Sequence, residues 1–151
     1  MIVKMIISGG QTGVDRAALD WAIAHGVPHG GWCPAGRKAE DGAIDAKYQL
    51  QETESANYRV RTACNVRYSD ATLILNRGEL EGGSLETLRI AEREGKPPLV
   101  IQVDDERGAA NLRKWLGQVQ PGVLNVAGPR ESKRPGIYAA AYAELDKNLL
   151  L

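Results

Sequence analysis

Short apolar runs alternate with segments of helical period along the chain, and this alternation constrains the fold more than any other feature. Val3–Ile7, Gly31–Cys33, Ala71–Asn76, Leu99–Val103 and Val123–Ala127 read as five strands. Asp15–Ala24, Val60–Tyr68, Ser84–Glu94, Ala109–Leu116 and Gly136–Leu149 read as helices. In the first of them Val14, Ala18, Trp21 and Ala22 repeat on one face. Gly26 and Gly95 stop two helices, with prolines following. The runs MIVKMII, ATLIL and LVIQV are nearly continuous apolar, as strands covered on both faces must be. Strands separated by helices pair in parallel, because the helix carries the chain back to the same sheet end. The expectation is an α/β three-layer sandwich of residues 1–151 as one domain, with a five-stranded parallel sheet in the order 2-1-3-4-5. Residues 34–58 interrupt the pattern as a long polar stretch, with a short helix expected near Ala46–Glu52 and a lid as one possible use.

Charge and composition exclude several functions. The 19 basic and 19 acidic residues cancel, and the pI of about 6.7 does not suit a general nucleic-acid binder. No apolar run approaches the roughly 20 residues of a membrane span, and MIVKMIISGG is too short in apolar character for a secretory leader. Cys33 and Cys64 stand alone and only His25 and His29 are present, so neither a zinc site nor a disulfide framework is expected. A reducing cytoplasm is the expected location.

In a parallel sheet, ligands bind beyond the carboxyl ends of the strands. Three loops fall there. Ser8–Asp15 joins strand one to helix one through Gly9, Gly10, Gln11, Thr12 and Gly13. Its glycines let backbone N–H groups approach a ligand, the helix N-terminus favours an anion, and Thr12 with Asp15 resembles a capping box. Asn76–Ser84 repeats the arrangement after strand three, with Gly82, Gly83 and Ser84, the last expected as a helix cap. Gly128–Gly136 places Arg130, Ser132, Lys133 and Arg134 before the last helix. The expected phosphate-binding set is Gly9, Gly10, Gln11, Thr12, Gly13, Asp15, Arg16, Gly82, Gly83, Ser84, Arg130 and Ser132, with no catalytic residue and no protein metal ligand. Each loop also reads as a plain turn without a ligand.

The runs SGGQTGVDRAALDWA, GWCPAGRKAEDGAI, LQETESANYRVRTACNVRYSDATLI, GELEGGSLETL and NVAGPRESKRPGIY, taken together, resemble the molybdenum cofactor carrier proteins over nearly the whole chain. That family lies in a Rossmann-like superfamily with the cytokinin-activating phosphoribohydrolases and with sensors of nucleotide-derived ligands. The resemblance implies a homodimeric or homotetrameric carrier of the molybdenum cofactor, a phosphorylated pterin. It sets the glycine loops on Gly9, Gly10, Thr12 and Gly13 and on Gly82, Gly83 and Ser84. The phosphoribohydrolases read Pro-Gly-Gly-x-Gly-Thr-x-x-Glu at the second loop, and aligning their Gly-Thr with Gly83-Ser84 puts Thr87 at the glutamate position. Glu86 is one residue off, and Arg67 is a loose counterpart of their arginine. The departure points away from N-glycosidic hydrolysis, which stays as the alternative beside a nucleotide-ligand sensor. Phosphate binding through backbone amides is unaffected. A further argument for a homo-oligomer is the last helix, where Ile137, Ala140, Ala141, Ala143, Leu145, Leu149, Leu150 and Leu151 spread over more than one face.

Overall fold

The computed structural model describes residues 3–149. In chain order the elements are β1 (Met5–Ile7), α1 (Val14–Ala24), β2 (His29–Gly30), β3 (Trp32–Cys33), β4 (Lys38–Ala39), β5 (Gly42–Ala43) and β6 (Gln51–Glu52). They continue with α2 (Tyr58–Arg67), β7 (Ala71–Asn76), α3 (Gly82–Glu94), β8 (Pro98–Gln102), α4 (Glu106–Val119), β9 (Val123–Ala127) and α5 (Ile137–Leu149). The main sheet has five strands, all parallel, in the order β2-β1-β9-β7-β8. Two-stranded pairs β3-β6 and β4-β5 sit beside it.

The expected sandwich is present, but the strand order needs correction. The last strand, expected at an edge, lies between β1 and β7. Traced from β7 through β8 and β9 and then on to β1 and β2, the same sheet reads 2-1-3-4-5. The spatial arrangement is therefore the expected one, reached by a chain that enters the cycle at a different strand. Apolar pattern alone cannot reveal this, since every strand of a covered sheet carries the same pattern.

Side-chain alternation sorts the layers. Ala71, Leu73, Leu75, Leu124 and Val126 join α1, α4 and α5 in one apolar cluster around the fully buried Trp21. The intervening residues Thr72, Asn76 and Asn125 are buried as well but polar, and the Asn125 amide contacts the Thr72 hydroxyl at 3.2 Å. That other face is covered by α2 and α3, whose own cluster holds Val66, Ile90 and Ala91.

Several boundaries shift for local reasons. The second strand of the main sheet is His29–Gly30, not Gly31–Cys33, because Trp32 and Cys33 pair with Gln51 and Glu52. No helix forms at 46–52. Instead the Arg37 guanidinium donates to the carbonyls of Ile44, Asp45 and Tyr48, and Tyr48 turns inward to Asp20. Helix α3 begins at Gly82, so Ser84 lies inside its first turn and is not its cap. Helix α1 is capped by Gly13 without a side-chain bond, which replaces the expected Thr12–Asp15 box. In α5, Ile137, Ala141, Leu145 and Leu149 are buried in the cluster shared with α1 and α4 of the same chain, and Ala139 and Ala143 are exposed. The apolar faces credited to a partner subunit are thus largely occupied within the chain. Leu150 and Leu151 lie outside the described residues.

Leu73 is fully buried at the sheet centre, so Leu73→Ala is expected to cost about 2–5 kcal/mol in urea unfolding. Ile23→Ala, at an exposed position, is expected to stay within about 0.5 kcal/mol of the parent.

Candidate functional site

A cleft of about 340 Å³ opens over the carboxyl ends of the central strands, between α2 and α3. Its floor is Gly9 after β1, Asn76 at the end of β7, and Asn125 through Pro129 along and after β9. The helix after β7 covers one face of the sheet and the helix after β9 the other, so the chain parts here and leaves a crevice. Helix α2 supplies Tyr58, Arg59, Arg61, Thr62 and Asn65. The opposite wall holds Glu79, Glu81, Gly83, Ser84, Glu86 and Thr87, and the rim holds Arg130, Lys133 and Arg134. The volume lies within the range of small-molecule sites.

At the inner end Asp15 and Arg61 face each other, with Oδ2 3.3 Å from Nη1 and side chains only 7% and 11% exposed. The Asp15 oxygen also accepts from the Gln11 amide at 3.3 Å. Burial pushes the Asp15 carboxyl up, against the pull of Arg61. Arg61 is held by its Nε bond to the Tyr58 carbonyl at 3.2 Å and lies over the Tyr58 ring. A Cβ at residue 9 would stand 1.8 Å from Arg61 Nη1, so glycine at that position is what admits the guanidinium.

At the outer end the cations are partly paired. Arg134 donates to the Arg77 carbonyl at 2.8 Å and to Glu81 at 3.2 Å, with Lys133 3.6 Å from the same carboxylate. The Arg134 bond and the charge of Lys133 hold the Glu81 carboxyl below its ordinary value. Glu81 is the N-cap residue of α3 but its side chain does not cap. The first turn of α3, with Gly83 and Ser84 on the cleft, is therefore left with uncapped amides and the positive end of the helix. Glu86 pairs with Arg59 at 2.5 Å.

The expected residues divide into two groups. Gly9, Gln11, Asp15, Gly83, Ser84 and Arg130 line the cleft. Gly10, Thr12, Gly13, Arg16, Gly82 and Ser132 do not, and each has a protein partner instead. Arg16 donates to the Gly10 carbonyl at 2.9 Å and pairs with Asp41 at 2.7 Å. Thr12 and Ser132 both bond the Glu40 carboxylate. The space a Cβ would need is filled at Gly10 by Leu50 and Ile44, at Gly82 by Lys133, and at Gly13 by the Pro129 carbonyl, 2.4 Å away. These three glycines permit close packing inside the chain. Arg67 is also elsewhere, paired with Glu94 on the surface at 3.1 Å.

The sequence reading missed Tyr58, Arg61, Asn65, Asn76, Asn125 and Arg134's place at the cleft. A signal existed for two of them: Asn76 and Asn125 interrupt otherwise apolar strands, which a buried strand tolerates only for a reason. Arg61 had none, because an arginine in an amphipathic helix ordinarily faces water.

A parallel sheet with helices on both faces and a crevice beyond the carboxyl ends of its central strands defines a Rossmann-like fold. Residues 6–149 match the circularly permutated YpsA SLOG family, and the chain belongs to that family. A crystal structure from Syntrophus aciditrophicus SB, described as a "putative molybdenum carrier protein", is 46% identical, with a TM-score of 0.94 over 99% of this chain and 96% of that one. No curated protein matches. Among the described residues no helix is long and apolar enough to cross a membrane, and no cluster of His, Cys, Asp or Glu is placed to hold a metal ion.

Gly13 has φ of +80° and backbone atoms where a Cβ would go, so Gly13→Ala is expected to lose about 1–3 kcal/mol from strain alone. Gly83 has open space at its Cβ position, and Gly83→Ala is expected to keep or slightly raise the melting temperature. Thermal unfolding of the two variants checks the contrast.

Proposed function

We propose that the cleft binds a phosphorylated heterocycle, and that the ligand is the molybdenum cofactor, which the protein carries without transforming it. The observation that carries this reading is the uncapped first turn of α3 in a crevice that has Arg130, Lys133 and Arg134 on its rim and Asn76 and Asn125 on its floor. Phosphate is matched by helix amides and cations. The Asn65 amide is bonded to the Trp32 backbone, while Asn57 keeps its Nδ2 donor and Asn76 and Asn125 keep their Oδ1 acceptors for the mixed edge of a pterin. Molybdenum in this cofactor is held by the pterin's dithiolene sulfurs, so the protein need supply no metal ligand. The relative's name supports the same reading.

Hydrolysis of a nucleoside phosphate is the second reading. It needs a carboxyl group free to transfer a proton. Of the two candidate carboxyls, Glu86 reaches the cleft but is paired with Arg59, and Glu79 stands on the exposed loop before α3 where water competes for its proton; Thr87, at the aligned glutamate position, donates to the Gly83 carbonyl at 2.9 Å.

The test is equilibrium binding of anaerobically released molybdenum cofactor, read by pterin fluorescence after oxidation and by molybdenum content after desalting. Phosphorylated pterin is expected to bind more tightly than its dephosphorylated form by about 10–100-fold, the worth of charge-assisted hydrogen bonds. Double replacement Lys133→Met and Arg130→Met is expected to remove most of that difference. Equal affinity for both forms, or release of free base from nucleoside monophosphates, would refute the carrier reading.

A further inference from the structure

The hydroxyls of Thr12 and Ser132, and the charge of Arg130, were the side-chain groups most suited to an external anion. The structure shows what they hold. Both hydroxyls bond the carboxylate of Glu40, the Ser132 amide donates to it at 3.2 Å, and Arg130 Nε stands 3.9 Å away. The Thr12 hydroxyl accepts from the Glu131 amide at 3.2 Å and donates to Glu40, whose ionised carboxylate can only accept. The Glu40 amide in turn donates to the Gln11 side-chain carbonyl at 2.9 Å, which also receives the Thr12 amide at 3.0 Å. The Thr12 and Ser132 hydroxyls and the Ser132 amide therefore share one acceptor, and it is an acid of the same chain.

We infer that Glu40 is the built-in anion of an oxyanion site formed by the loops after β1 and β9, and that this internal carboxylate locks the two loops together. Glu40 rides on the turn between β4 and β5, whose neighbour Asp41 is gripped by Arg16. Its side chain is 20% exposed, far less than that of Arg130 at 48%. Desolvation works against its charge, yet the bonds from Ser132 and Thr12 outweigh it and keep the carboxyl below the ordinary range, so it is ionised at neutral pH. The excursion at 34–50 is therefore a strap. No residue of it lines the cleft, but it holds Gln11 on one side and Arg130 on the other, both of which do. Glu40 is a positioning residue: it pre-arranges a wall of the cleft before any ligand arrives.

Chemical rescue tests this, with readouts that need no ligand in the cleft, so its outcome is separate from that of the carrier reading. Glu40→Ala leaves the donors without their anion and room for a small one. Its melting temperature is expected to fall by about 3–6 °C, a shift proportionate to losing charge-assisted bonds in a chain of this size. Formate at tens of millimolar is expected to raise the variant's melting temperature by several degrees while leaving the wild type unmoved, and chloride at equal ionic strength is expected to do neither. Glu40→Gln keeps shape and one acceptor without the charge. Its Ser132 amide is expected to exchange with solvent at least several-fold faster than in the wild type. The inference is overturned if Glu40→Ala melts with the wild type, or if formate and chloride act alike on it. Should Glu40→Ala not fold, wild-type protection of the Ser132 amide in Glu40→Gln overturns it equally.

Discussion

The position of β9 is the constraint on which the rest depends. It pairs with β1 through Val123, Leu124 and Asn125 and with β7 through Leu124 to Ala127, so it is bonded on both edges at the middle of the sheet. Leaving that position, the chain must pass through a narrow gap. A Cβ at Gly128 would come within 2.3 Å of the Leu75 carbonyl and 2.6 Å of Val14, so only glycine allows the exit. The loop that follows then lies directly against the loop after β1, where Gly13 accommodates the Pro129 carbonyl. Two glycines far apart in the chain thus serve one crossing.

This crossing also decides the chemistry of the cleft. Had the strands followed the chain in simple succession, the loops after β1 and β7 would be neighbours. With β9 between them, the basic loop at 128–136 is inserted into the gap and becomes the rim. Two polar residues of the central strands, Asn76 and Asn125, become its floor. The acidic residues are distributed so that the cations stay in place without filling the crevice: Glu81 takes Arg134 and Lys133, Glu86 takes Arg59, and Asp15 holds Arg61. The exposed pairs among these, Glu81 with Arg134 and Lys133 and Glu86 with Arg59, contribute little stability, and the buried Asp15–Arg61 pair must offset the cost of its own desolvation. Their effect here is geometric, aiming long side chains that would otherwise sample many rotamers.

The irregular stretch at 34–58 is ordered by polar bonds more than by apolar contacts. Its small cluster of Leu19, Cys33, Ala39, Ile44 and Tyr48 is supplemented by Arg37, which satisfies the carbonyls of Ile44, Asp45 and Tyr48, and by Asp20, which receives the Tyr48 and Tyr138 hydroxyls. Arg37 itself adopts φ of +53°, a conformation that is uncommon for a side-chain-bearing residue and is retained here by its carbonyl bonds. A segment held in this way has no period in its sequence, and a helix near 46–52 was the wrong reading for that reason.

Local properties were legible in the sequence. The strand and helix types, the parallel sheet, the stops at Gly26 and Gly95, and the placing of glycine loops at the carboxyl ends of β1 and β7 follow from apolar period and backbone freedom, which act over a few residues. Six of the twelve expected binding residues line the cleft for that reason. What only the tertiary structure decided depends on partners remote in the chain. The central place of β9 is invisible in a pattern common to all covered strands. The identity of the groups beside Gly10, Gly13, Thr12 and Ser132 rests on neighbours about 30 to 120 residues away. A glycine or hydroxyl suited to an anion looks the same in sequence whether it meets a ligand or a glutamate of its own chain, because the requirement it meets is set by the space and charge opposite it, and those are supplied by the fold.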